Sequence, residues 1–532
     1  MRDGRARGVA VALVAASACA QCTREPAAAP ERFVPAAAPW VLVVPKLRDA
    51  QGAAAPLLRT VLSFPAAANL AESVAAVRGQ LGFDPLDPRA LADAGVDPDR
   101  GAALAESAGG APLLVLPVAD EAKLDAFLAR TARERLGAGD RQRAGNDGAR
   151  VDVFRRGAAS PPALAVAWAS GAAVVAPGAE GPRAVAAAAA LAEGAALRAS
   201  KAYAEARAAL GDGAVAVLFA PPASPALAAW PLARDGAAMG ALASATRLEL
   251  RLALLVPGAR GEAWRAALPG AAGADALGRL PADAFLAART GADPTVVARR
   301  LAWALPEGAR ASLARAGLDL ERDLADVFAP GAALGVALAP TFEVAAVSRG
   351  GIHAAGRDPF RLVHLAAVLE VKDAARAQAL VAKLARAAPA LGLEVDARGA
   401  AAAFRAGRGA AELSVALDGK RLLVAGGAGR LEALLGRGSA GYAAPTPGAR
   451  AALEGGALAT VLDFGRLVRS FRALPPQAYG TGPDAFVMRS LAERVVDPAS
   501  RLAAASLRLD VADGAVRADL VVEAREPGGD AR

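Results

Sequence analysis

Only two histidines, His353 and His364, are available to this 532-residue chain, and they stand close together with Ser348 upstream and Asp358 between them. Serine, imidazole and carboxylate are the parts of a nucleophilic triad, in which the imidazole takes the hydroxyl proton and the carboxylate orients the imidazole. Ser348, His353 and Asp358 are therefore the candidate residues for a hydrolytic reading. The surrounding Ala-Val-Ser-Arg-Gly is not a Gly-x-Ser-x-Gly elbow, and no oxyanion-hole motif accompanies it. His364 alternates with apolar residues and reads as a core or boundary group of a strand. No catalytic assignment follows, and the chain reads as a non-enzyme.

Two further patterns bear on ligands. Asp84, Asp87, Asp93, Asp97 and Asp99 are dense enough in oxygen for calcium, but Asp84-Pro85, Asp87-Pro88 and Asp97-Pro98 have the cap-then-proline form of helix starts and turns. Capping is the expectation. Gly426-Gly427-Ala428-Gly429 lies between an apolar strand and a helix, where a phosphate loop belongs. The last glycine of Gly-x-Gly-x-x-Gly is replaced by Glu432, whose charge opposes a phosphate. With two histidines and no cysteine in the body of the chain, neither a metal nor a cofactor is expected.

The cysteines are Cys19 and Cys22, beside the amino terminus. Arg2, Arg5 and Arg7 precede the apolar run Val9–Ala16 and the small residues Ala16-Ser17-Ala18, the layout of an export signal. Cys19 directly after Ala-Ser-Ala resembles the lipobox of bacterial lipoproteins, with Ala16 in place of the usual Leu or Val. That makes Cys19 the lipidation candidate, against simple cleavage near Ala18 or Ala20. The expected setting is extracytoplasmic, either periplasmic or lipid-anchored.

Formal charge is +8 and the isoelectric point about 10.0, but the cations are scattered, nearly all arginine, and aromatics make up only 4%. A nucleic-acid surface gathers its cations and adds rings for stacking, so no nucleic-acid partner is expected. Hydrophobic residues at 55% indicate packed domains, with alanine supplying much of the total.

The elements that must position these residues are announced by repetition. Leu91–Arg100 (LADAGVDPDR) matches Leu313–Arg322 (LARAGLDLER) at six of ten positions, and Arg207–Ala216 (RAALGDGAVA) matches Arg450–Ala459 (RAALEGGALA) at seven of ten. Val118–Ala129 and Val371–Ala382 form a third pair in the same order. Spacing this long indicates duplicated domains, not a short-period solenoid. Each copy predicts an apolar strand (Trp40–Pro45; Leu280–Ala288), helices (from Pro56 to Gly82; Pro294–Leu305), then a buried strand (Pro112–Val118; Leu362–Val371). Asp120 and Asp373 are the expected caps of the following amphipathic helices. Hairpins follow at Leu164–Ala176 and Leu413–Ala425, the second with Asp418-Gly419 as a type I′ signal. Alternating strands at Arg247–Val256 and Leu507–Ala524 close the two copies. Proline at 221, 222, 225 and 231 makes the uncharged stretch Ala214–Ala233 a strand and loop, not a spanning helix.

The expected fold is therefore α+β: two tandem pseudo-symmetric halves, each a largely antiparallel sheet with helices packed on it. Residues 1–20 read as signal peptide, 21–39 as an Ala/Pro-rich tether, 40–270 and 278–525 as the two halves, and 526–532 as a disordered tail. An insertion near 330–363, without counterpart in the first half, carries both Ser348 and His353. Leu-Pro-Ala-Asp at Leu280–Asp283, Leu-Asp-Leu-Glu-Arg-Asp-Leu at Leu318–Leu324 and Val-Lys-Asp-Ala at Val371–Ala374, set in this duplicated layout, resemble a domain-of-unknown-function family of large exported bacterial proteins. The resemblance implies an extracytoplasmic setting and transfers no catalytic residue. The reading is an exported cell-envelope protein with a binding or scaffolding role, its site between the halves and its partner an envelope protein or apolar ligand. The alternatives are a carrier of a lipid or apolar ligand, and a hydrolase built on the insertion.

Overall fold

A computed structural model describes residues 28–525, apart from 53–71, 73–86, 351–358, 399–400, 406–411, 437–440 and the short positions 108, 147–148, 223, 245, 271, 428 and 513. The fold mixes helices with sheets in which every strand pairing is antiparallel. The export signal, Cys19, Cys22, Asp84, His353, Asp358, the predicted helix from 56 to 82 except Glu72, and the tail lie outside the described residues. No described helix is long and apolar enough to cross a membrane.

The described chain forms two compact units, one holding the strands up to Gly236, the other everything from Ala237. The first contains β1 (Val41–Val44), β2 (Ala102–Glu106), β3 (Pro112–Pro117), β4 (Asp140–Asn146), β5 (Ala149–Arg155), β6 (Pro162–Ala169), β7 (Ala172–Pro177) and β8 (Ala216–Ala220). Their spatial order is β8-β1-β2-β3-β7-β6-β5-β4. Helix α1 (Glu121–Leu136) buries Leu124, Leu128 and Ala132 against Phe154, Leu164, Val166 and Trp168 of the sheet. Asp120 caps it, accepting from the Lys123 amide at 3.1 Å.

The second unit begins with the hairpin β9 (Ala237–Ala243) and β10 (Arg247–Leu255), then β11 (Leu286–Thr290), β12 (Phe328–Leu338), β13 (Val363–Val371), β14 (Glu394–Arg398), β15 (Ala401–Arg405), β16 (Glu412–Asp418), β17 (Arg421–Gly426), β18 (Leu458–Asp463), β19 (Leu502–Ala512) and β20 (Ala515–Ala524). Pairing runs β9-β10-β20-β19-β18-β11-β12-β13-β17-β16-β15-β14. Helix α2 (Ala374–Ala387) sets Ala377, Leu380 and Val381 on Phe404, Val415 and Leu422, with Asp373 accepting from the Arg376 amide at 2.9 Å. The hairpin Ala237–Leu255 thus extends the sheet of its own unit, with Arg247–Leu255 matched residue by residue to Glu523–Ala515.

Several expectations change in detail. The strand predicted at Leu280–Ala288 starts only at Leu286, because Leu280 to Phe285 form a turn whose side chains plug the core: Leu280 is fully buried and the Phe285 amide donates to the Val336 carbonyl. The strand predicted from Leu507 begins earlier, at Leu502. In the β16–β17 hairpin Asp418 pairs with Arg421, so the turn centres on Gly419-Lys420. Positive φ occurs there at Gly419 alone, the pattern of type II′ instead of the predicted type I′. The β6–β7 turn, by contrast, has positive φ at both Ser170 and Gly171. The predicted insertion separates β12 from β13 and includes a helix at Val344–Gly350. A second elaboration, not anticipated, is the chain segment connecting β18 to β19, which forms helices α3 (Phe464–Arg472) and α4 (Pro483–Ser500).

Candidate functional site

A dense set of charged residues lies where β10 meets β20 in the second unit. Alternation along a strand points every second residue to one face, so Arg247, Glu249 and Arg251 of β10 share a face with Asp519 and Glu523 of β20. Arg247 and Arg251 donate to the buried Glu249 carboxylate at 2.9 and 2.5 Å. Burial opposes ionisation of Glu249, but these arginine bonds outweigh it and hold the carboxyl below its ordinary range. Arg508 and Arg517 likewise donate to the Asp519 carboxylate, at 2.9 and 2.8 Å.

At the end of this lattice the face opens into a cavity of about 710 Å³. Its walls are the β9–β10 turn (Ser244, Thr246, Arg247), the segment Ala443–Pro447, the start of α3 and the end of β20. Each wall has a local cause. Thr446 caps the helix Pro447–Glu454, accepting from the Ala449 amide at 3.0 Å, and its hydroxyl donates to Glu523 at 2.5 Å. Gly448 is required beside it, since a β-carbon there would run into the Glu523 carboxylate. Asp463 ends β18 and caps α3 through the Arg466 amide at 2.8 Å. Arg466 Nη1 also lies 3.0 Å from Asp463 Oδ2, close enough for an ion pair, while its guanidinium stacks over the Tyr442 ring at 4.6 Å. Burial pushes the Tyr442 hydroxyl up to about 12.

Helix α3 divides its residues by face. Arg466 and Arg469 follow at three-residue spacing and line the cavity, whereas Leu467, Val468 and Phe471 line a separate apolar groove. The cavity holds Arg247, Arg466, Arg469 and Arg525 against Asp463 and Glu523, an excess of two positive charges. Among the described residues the side chains of Arg469 and Arg525 make no hydrogen bond or ion pair. Chemically the arrangement offers donors and positive charge, with no imidazole or thiol in the lining.

The residues selected from the sequence lie elsewhere. Ser348 lies in the apolar groove of about 270 Å³ with Phe342, Val347, Phe471, Leu491 and Val495, its hydroxyl bonded to the Ala345 carbonyl at 3.2 Å and near the Met488 sulfur at 2.9 Å. His364 stands on β13, and its Nδ1 accepts from Arg430 Nε at 2.7 Å. Arg430 in turn holds Asp283 through both guanidinium nitrogens, at 2.9 and 2.7 Å. The glycine stretch after β17 is occupied by side chains: a β-carbon on Gly426 would strike the Phe360 ring and one on Gly427 the His364 imidazole. Gly426 and Gly427 make room for the packing of Phe360 and His364. Asp87 caps the helix Pro88–Asp93 through the Arg89 amide at 3.0 Å, Asp97 accepts from the Asp99 amide, and Asp99 pairs with Arg48. The described residues contain no cluster of His, Cys, Asp or Glu able to hold a metal.

Sequence reasoning missed Arg466, Arg469 and Arg525. One signal was present, the alternation of arginine with Leu467, Val468 and Phe471 in a short helix, but their convergence with Arg525 depends on β19 pairing with both β18 and β20. No family model matches the chain, and neither a curated protein nor a solved structure is found to be similar to it.

Proposed function

We propose that this chain is an exported, non-catalytic binding protein of the bacterial cell envelope, built from a duplicated α+β unit and taking its ligand in the cavity at the β10–β20 junction. The observation that carries the reading is the cavity's surplus of arginine, two of whose guanidiniums have no partner among the described residues. Charged groups brought together at a cost in repulsion and desolvation are better accounted for by a ligand than by stability.

The duplication is supported by strand order. β8-β1-β2-β3-β7-β6-β5-β4 and β18-β11-β12-β13-β17-β16-β15-β14 follow one rule, with a helix capped by Asp120 or Asp373 leaving the fourth strand of each run. Gly95 and Gly317, equivalent in the matched Ala-Gly-[Val/Leu]-Asp segments, both take positive φ. On this reading the cavity lies between the final hairpins of the two copies. Export rests on the arginine-led apolar amino terminus, and anchoring on Cys19.

The carrier reading has one observation in its favour, the apolar groove beside α3 and α4, whose lining includes the exposed Leu491 and Val495. The test is native mass spectrometry of the full chain recovered from envelope extract, beside Ala444→Trp, which fills the cavity. Small molecules retained by the parent and lost from the variant are expected; identical spectra would overturn the cavity as the site.

A further inference from the structure

The two unpaired guanidiniums converge on one point. A β-carbon built on Gly465 would lie 2.8 Å from Arg525 Nη2 and 3.4 Å from Arg469 Nη1, with Asp463 Oδ1 at 3.1 Å. Glycine at this second residue after β18 keeps that point open. The Asp463 oxygen is already engaged by the Arg466 amide, so it offsets part of the positive charge without closing either arginine. Arg525 is brought there by the sheet: its own amide donates to the Arg501 carbonyl at 2.9 Å, and the preceding Ala524 amide to the Thr246 carbonyl at 2.8 Å. Arg469 is brought by α3, one turn beyond the Asp463 cap. Two elements distant in sequence thus aim like charges at a solvent-filled cavity.

Planar guanidinium forks are matched to tetrahedral oxyanions, which accept two bonds from each of two arginines. A single carboxylate fills one fork and brings one negative charge, where the cavity has an excess of two. We propose that Arg469 and Arg525 clamp the phosphate monoester of the ligand, with Arg247 contributing charge at the rim and Thr446 and Ser244 lining the path of its remainder. The proposal rests on the cavity being the binding site. The same dianionic group is offered by a soluble phosphate ester and by the headgroup of phosphatidic acid in a membrane.

The full chain is titrated by calorimetry with inorganic phosphate and with glycerol 3-phosphate, and by flotation with phosphatidylcholine vesicles containing or lacking phosphatidic acid. Compared with it are Arg469→Gln/Arg525→Gln, Arg469→Lys/Arg525→Lys, and the control Arg489→Gln, whose arginine pairs with Glu493 on α4 at 3.2 Å, away from the cavity. Saturable binding weakened at least tenfold in the glutamine pair, less in the lysine pair and unchanged in the control is the expected result. Binding of the free esters identifies a soluble ligand; binding confined to phosphatidic acid vesicles identifies the headgroup. Saturable binding unchanged in the glutamine pair, or absent from both phosphate forms, overturns the proposal. Hydrogen exchange of β18–β20 in each variant separates a lost contact from a lost fold, and the lysine pair carries the test if the glutamine pair unfolds. Should Ala444→Trp lose its co-purifying molecules while the glutamine pair retains them, the cavity stands as the binding site and the phosphate clamp falls.

Discussion

Replacing Asp152 by asparagine should loosen the β4–β6 end of the first sheet through charge alone. The carboxylate is fully buried on β5 and accepts from Arg141 at 2.7 Å, Arg143 at 3.0 Å, Arg150 at 3.1 Å and Trp168 Nε1 at 3.0 Å. Burial raises its pKa, the arginines lower it further than burial raises it, and it settles at about 2 against an ordinary 3.8. That depression is equivalent to about 2 kcal/mol at neutral pH. Because the folded value is the lower one, the contribution is complete above pH ~4 and disappears as pH falls through ~2. Asparagine keeps nearly the same shape but turns an amide group toward arginine donors. Arg141 retains Asp125 as a partner, so the cost stays near 2–4 kcal/mol and below that of stranding an isolated buried charge. Peptide-resolved hydrogen exchange at pH 7 should show β5 and β6 amides exchanging about 30-fold faster or more in Asp152→Asn, if they exchange by opening this region. Urea midpoints for this unit should converge between parent and variant from pH 4 to pH 2. Equal exchange at pH 7, or a difference that persists undiminished at pH 2, would refute the electrostatic account.

Arg289 is almost fully buried and donates to the carbonyls of Leu453, Ala272, Gly455 and Gly456, with no carboxylate bonded to it. Arg289→Lys should cost about 2 kcal/mol or more in chemical unfolding, because an ammonium cannot reach four carbonyls spread around a planar fork; wild-type stability would remove that role. Gly427→Ala places a methyl against His364 at a residue with φ of 103°, so a loss of at least about 1 kcal/mol is expected, and a neutral result would show that His364 moves freely aside. Asp120→Ala and Asp373→Ala should each lose about 1 kcal/mol through the exposed first turns of α1 and α2, measured by urea unfolding, with matched costs expected for equivalent caps.

Local signals in this chain were legible because their physics is local. Asp120 and Asp373 cap their helices because a short carboxylate before an amphipathic run meets the orphan amides of its first turn. The β6–β7 and β16–β17 hairpins follow from alternating apolar residues around Ser170-Gly171 and Gly419. The Asp-Pro turns read as structural, and their described carboxylates are spent on amides and on Arg48. Which residue of Asp418-Gly419-Lys420 begins the turn was not legible, since one register step is decided by strand pairing. Glu432 already argued against an anion loop at Gly426–Gly429, but the reason for glycine at 426 and 427 was not legible, because Phe360 and His364 are brought there by β13 and the segment before it.

By itself the sequence determined the α+β composition and the helix caps, both consequences of periodicity and neighbouring residues. Only the tertiary structure decided that β10 pairs with β20, that Arg469 and Arg525 meet over Gly465, and that His364 goes to Arg430. Those contacts join residues tens to hundreds of positions apart, and their geometry depends on sheet register and helix docking, to which the spacing of residues along the chain is blind.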